Sequence, residues 1–131
     1  MEEKAGEVFS IAKDNMPVPG CTISKEVHGG ENGIIYFSLA KNTDISAEIF
    51  PYHKLLIVAE GSLEVYGTNG YRKVLHAGDS VLTSTDIPIG MKTDTGAVYT
   101  EIEIRRSDIM NEAIKAGEVF RLAELVPYAE G

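Results

Sequence analysis

Residues Glu48 to Val65 read EIFPYHKLLIVAEGSLEV, and the fold class turns on this stretch. Leu55-Leu56-Ile57-Val58 is a continuous apolar run rich in β-branched residues, and Glu60-Gly61 punctuates it. Ser62 to Tyr66 then alternates polar with apolar, so the segment reads as two strands joined by a turn. A partner segment lies downstream in HAGDSVLTSTDIPIG, His76 to Gly90.

The same punctuation continues on both sides. Upstream, Glu7 to Ala12 reads as strand-like or irregular and ends in Asp14, Asn15, Pro17, Pro19 and Gly20, all turn formers. Thr22 to Val27 alternates, and the glycine-rich run from His28 to Gly33 leads into the apolar IIYFSLA. A glycine-rich loop cradles phosphate where it opens a helix; here a strand follows, so the run reads as a hairpin turn. Lys41 to Ser46 reads as a polar turn. Downstream, Gly67-Thr68-Asn69-Gly70 is a hairpin signal whose Asn-Gly pair suits the positive φ angles of a type I′ turn. Tyr71 to Leu75, SVLTS, the short Met91 to Thr93 and the alternating AVYTEIEI complete a series of about eight short strands with little helix, an all-β sandwich or small barrel. Beyond it Ser107 suits an N-cap, Asp108 favours the helix dipole, and Ile109, Ala113 and either Met110 or Ile114 have helical spacing up to Gly117. That predicts a short C-terminal helix on the outside, without the basic polar face a membrane-surface helix needs.

Glu48 to Val65 and His76 to Gly90 together resemble the two sequence motifs of the cupin family, over roughly Ile34 to Ile104. The resemblance implies a jelly-roll β-barrel, with its core at about residues 22–104 in a single domain. It also implies a metal held in the barrel mouth, and the residues can be compared position by position. The first motif runs H-x-H, three or four residues, E, six residues, G. With its glycine on Gly61, the glutamate falls on Lys54 and, at the shorter spacing, the histidines fall on Glu48 and Phe50. The second motif runs G, five residues, P-x-G, two residues, H. With its first glycine on Gly78, the proline falls on Ser84, the next glycine on Asp86 and the histidine on Ile89. A transition-metal site needs convergent imidazole and carboxylate donors, which an ammonium, a phenyl ring and a sec-butyl group cannot supply. The reading is therefore a cupin-like barrel without metal ligands and without a cofactor.

The composition bounds the partners. A chain of 131 residues with 44% apolar content fits one domain, burying roughly two-thirds of its unfolded surface. A formal charge of −8 gives no electrostatic footprint for nucleic acid or an anionic membrane. The start, MEEKAGEVF, is acidic where an export signal would be basic, and no apolar run is long enough to span a bilayer. With Cys21 as the single cysteine there is no internal disulfide, which suits a reducing, cytoplasmic setting. A reactive thiol needs a stabilising base or cation, and Pro19-Gly20-Cys21 offers none nearby in sequence.

Strand alternation keeps Glu48, Phe50, Lys54 and Ile89 pointing where the family's ligands point, with Met91 following Ile89. If Pro51 breaks the parity, Tyr52 or His53 faces inward instead. The expected pocket is lined by Phe50, Leu56, Ile89 and Met91, with Glu48 and Lys54 as polar members in contact with each other, water or a ligand. The predicted function is a metal-free small-molecule-binding or regulatory barrel of unknown ligand. The alternative is a metal-independent isomerase or epimerase with Glu48, Lys54 or His53 as acid or base. The apolar faces of IIYFSL and VYTEIEI lead us to expect a homodimer.

One feature lies outside the barrel logic. KAGEVF occurs at Lys4 to Phe9 and again at Lys115 to Phe120, and at the same offset of 111 residues Ala12 matches Ala123 and Gly20 matches Gly131. A self-match at fixed offset marks a duplicated unit, here the lead-in to a barrel. The expectation is that the chain corresponds to the first half of a two-cupin architecture, with Val8 and Phe9, and Val119 and Phe120, each packed against a barrel.

Overall fold

The computed structural model of the chain describes Gly6 and residues 10–28, 33–104 and 116–121. Its centre is a fifteen-residue strand, His53–Gly67, formed by the stretch that reads in sequence as two strands and a turn. Buried positions fall on Lys54, Leu56 and Val58, then on Leu63 and Val65. A bulge between Val58 and Glu60 accounts for the change from even to odd numbering. Gly61 lets the strand bend without ending. It has φ +82, and a Cβ there would strike the Gly96 carbonyl oxygen.

Numbered in chain order, the strands are β1 (Thr22–His28), β2 (Ile34–Leu39), β3 (Thr43–Glu48), β4 (His53–Gly67), β5 (Arg72–His76), β6 (Ser80–Leu82), β7 (Ile89–Thr93), β8 (Ala97–Ile104) and β9 (Val119–Phe120). The first half of β4 pairs with β8 and β6, in the order β1-β2-β8-β4-β6-β9; its second half pairs with β5 and β7, and β7 with β3. Two antiparallel sheets therefore share one strand, and hydrogen bonds do not close them into a continuous barrel. Between them lies the core, in which Leu39, Leu56, Leu63, Val65, Leu75, Val81 and Tyr99 are fully buried. Phe37 stacks on Tyr99 with ring centroids 5.2 Å apart. Each of those leucines contributes roughly 1.5–3 kcal/mol by leaving water.

Several local expectations change. Thr43 to Ser46 belongs to β3, because its alternation places Ile45 against Met91 of β7 while its polar residues face water. Ile11–Asp14 is one helical turn, capped by the Ser10 side chain accepting from the Lys13 amide at 3.2 Å, where an irregular or extended segment was expected. The Asn69-Gly70 turn has φ values of 59° and 79°, as the type I′ reading requires. Both faces of β8 are buried within this one chain from Ala97 to Glu101, so that strand does not need a partner to cover it. Among the described residues the large exposed apolar side chains are Met16, Val18, Ile23, Ile49 and Val74. The C-terminal helix expected from Ser107, and Val8 with Phe9 of the first KAGEVF, lie outside the described residues. Among those described, no helix is long and apolar enough to cross a membrane.

Candidate functional site

Phe50, Lys54, Leu56, Ile89 and Met91, five of the six residues expected to line a pocket, come together around one cleft. Lys54 and Leu56 reach it from the inward face of β4, Ile89 and Met91 from β7, and Phe50 from the loop ahead of β4. Thr83 and Ser84, which follow β6, complete the lining. Pro51 does not invert the parity. Tyr52 instead donates to Glu103 over 3.4 Å, and His53 pairs through Nδ1 with the Thr83 carbonyl at 2.7 Å. Because a carbonyl only accepts, Nδ1 carries the proton in that contact. Neither Tyr52 nor His53 lines the cleft.

Glu48 is the sixth residue, and the structure corrects its role. It ends β3 beyond a bulge between Ile45 and Glu48, is exposed at the rim, and does not line the cleft. The partner of Lys54 is Glu101 of β8, with Nζ to Oε2 at 3.4 Å and side chains 11% and 4% exposed. The ammonium also lies 3.4 Å from the centroid of the Phe50 ring, a cation–π contact. Burial pushes the Glu101 carboxyl above its ordinary pKa, and the attraction of Lys54 offsets part of that rise. The backbone under this pair is pinned: the Lys54 amide donates to the Thr83 hydroxyl, and the Thr83 amide to the Lys54 carbonyl, each at 2.9 Å.

The sequence did carry a signal for Glu101. Ala97, Tyr99 and Glu101 share one parity along AVYTEIEI, and Tyr99 is a core residue, so Glu101 continues an inward face. The cleft itself spans about 250 Å³, part of it open to solvent. Between the side chains only about 10 Å³ admits the centre of a water-sized guest, close to the minimum for one water.

Solved structures of low sequence identity resemble this architecture. A cupin 2 conserved barrel domain protein from Leptotrichia buccalis superposes with a TM-score of 0.79 at 22% identity, over 98% of this chain and 57% of that one. The chain has the cupin fold. A cupin superfamily protein from Desulfitobacterium hafniense has a TM-score of 0.73 at 12% identity, over 81% of this chain and 97% of that one. A conserved protein of unknown function from Streptococcus pyogenes has 0.74 at 16%, over 81% and 93%. No family model matches the sequence, and no curated protein matches it.

A metal centre of the cupin type does not fit these residues. The motif positions hold a rim carboxylate, a phenyl ring, an ammonium and an isoleucine, and the ammonium lies against the Phe50 ring. Among the described residues no three His, Cys, Asp or Glu side chains converge. A cation is present in the mouth nonetheless, as the side chain of Lys54 neutralising Glu101.

Proposed function

We propose that this cupin-fold chain is a metal-free binding module for a small organic acid with a short apolar tail. One observation carries the reading: an ammonium held in a largely apolar cleft by a carboxyl whose pKa burial raises. When Glu101 takes up a proton, Lys54 loses its counter-charge and a guest carboxylate can replace it, with the tail against Leu56, Ile89 and Met91. The narrow interior requires the Phe50 ring to move aside for the guest, which limits it to a few carbon atoms. Glu101, beside Lys54, takes the acid–base place that the isomerase alternative gave to Glu48; proton chemistry would require a guest already bound there.

The test compares thermal stabilisation by butyrate and hexanoate with that by their amides, near pH 6 and near pH 8. Stabilisation by the acids, greater near pH 6 and lost in Lys54→Met, is the expected result. Equal effects of acids and amides, or persistence in Lys54→Met, would remove the assignment.

A further inference from the structure

The outer edge of β6 is a receptor for one short peptide. β9 runs antiparallel along it, with Ser80 opposite Phe120 and Val81 opposite Val119. Just before β9, the Gly117 amide donates to the Leu82 carbonyl at 2.7 Å, and the Gly117 carbonyl accepts from the Tyr71 hydroxyl at 2.8 Å. Val119 packs against the core, and Arg121 closes the far end with Nη1 2.9 Å from Oδ1 of Asp79. Gly117 is buried with φ +88, and a Cβ there would meet the Tyr71 ring at 3.5 Å and the Ser84 hydroxyl at 3.7 Å. Left-handed backbone, more than lack of room, makes glycine necessary.

The segment seated there, Ala116 to Phe120, belongs to a KAGEVF that is spelled a second time at residues 4–9. Gly6 is the counterpart of Gly117 and has nearly the same backbone angle, φ +83. Yet Gly6 is exposed, and nothing among the described residues lies within 4 Å of where its Cβ would stand. Two glycines of nearly equal left-handed φ thus stand at matching positions of the two copies, one seated against Tyr71 and the other with no described residue against it.

We propose that the β6 edge is a strand-exchange site between two copies of this chain, taking residues 4–9 of the second copy in the place β9 vacates. The incoming segment brings the same glycine, valine and phenylalanine to the groups that hold Gly117, Val119 and Phe120. Ser10 stands where Arg121 does, so it lacks the ion pair with Asp79. With that pair and its covalent tether β9 holds the edge first, and exchange follows its release. The homodimer expected from the sequence gains a specific contact in this way.

The experiment uses the full chain with Gly117→Val, which puts a β-branched residue into left-handed backbone against Tyr71. A labelled peptide of residues 4–10 should bind this variant at least tenfold more tightly than the unsubstituted chain, and the same peptide with Gly6→Val should lose that binding. A folded Gly117→Val chain, judged by circular dichroism, that binds the peptide no better overturns the proposal. So does equal binding of the Gly6→Val peptide. If Gly117→Val does not fold, disulfide trapping decides the question in Cys21→Ser chains, one carrying Val8→Cys and the other Val81→Cys. A mixed dimer whose yield falls at least fivefold on adding Gly6→Val supports exchange; a yield no higher than with Val81 left as valine overturns it.

Discussion

Replacing Lys54 with methionine should destabilise the fold near pH 8 and scarcely at all near pH 4.5. Methionine keeps most of the volume against Phe50 and Leu56 but removes the charge. The side chains of Lys54 and Glu101 are 11% and 4% exposed, so the carboxylate left behind has little access to water and, among the described residues, no other cation paired with it. Removing one member of such a pair costs roughly 3–5 kcal/mol. The direction with pH follows from Glu101, whose folded pKa lies above its ordinary 4.5 chiefly through burial. A carboxyl with a raised folded pKa binds its proton better in the native state. Its contribution is therefore most favourable below about 4.5 and is lost as pH rises through the raised value. Without Lys54 the downward influence on that pKa from the described residues disappears, and each further unit of rise costs about 1.4 kcal/mol above it. A loss of about 3 kcal/mol near pH 8 corresponds to a fall in Tm of roughly 10 °C for a chain of this size. Urea denaturation followed by circular dichroism at the two pH values measures it. Adding Glu101→Gln should recover most of the loss, because no unpaired charge then remains. An equal loss at both pH values, or none near pH 8, would refute the claim that Lys54 is the counter-charge of Glu101.

Elemental analysis of protein purified without added metal should find less than about 0.1 equivalent of zinc, iron, manganese or nickel; one equivalent, lost on replacing Glu48 or His53, would overturn the reading of the donor set. Gly61→Ala should lower stability by roughly 3 kcal/mol or more, since its Cβ meets the Gly96 carbonyl at a left-handed φ that β4 needs in order to pass between the sheets. A urea midpoint unchanged by that substitution would mean that β4 bends elsewhere.

The fold was legible because three kinds of local signal agreed. Apolar runs and alternation located β2, β4 and β8, Asn69-Gly70 fixed one hairpin, and Gly78 of the second motif marked a corner. The errors also have physical causes. Gly61 looked like a turn because glycine after glutamate usually ends a strand, yet here its positive φ carries one strand across two sheets. Thr43 to Ser46 looked like a turn because one face of β3 is wet and its residues there are short and polar. In the site, parity was enough to place Lys54, Leu56, Ile89 and Met91. The ion-pair partner is not legible in the motif: Glu48 and Lys54, both on ligand positions, are expected to contact each other, water or a ligand, whereas a cross-strand neighbour 47 positions away (101 − 54) supplies the charge. β9 could not be assigned to β6 from local pattern, since a two-residue strand has no period to read.

Lys54 stands where the cupin resemblance would put a metal-ligating glutamate, and this changes what the cleft can do. A bound divalent ion accepts lone pairs, so it can polarise a carbonyl or acidify a water; an ammonium has no empty orbital and offers only charge and three N–H donors. Glu101 takes one donor direction and the Phe50 face lies against another, leaving little for a guest until both withdraw. Glu101 can withdraw electrostatically, by protonation, without moving. Phe50 can withdraw sterically: it sits in a loop, is only half-buried, and is held by its contacts with Lys54 and Tyr52, whose ring centroid is 5.7 Å away. The two releases are separable. Phe50→Ala opens the space and leaves the charge pair intact, whereas Glu101→Gln frees the charge and leaves the space closed. A site that needs both should therefore respond more than additively when the two substitutions are combined.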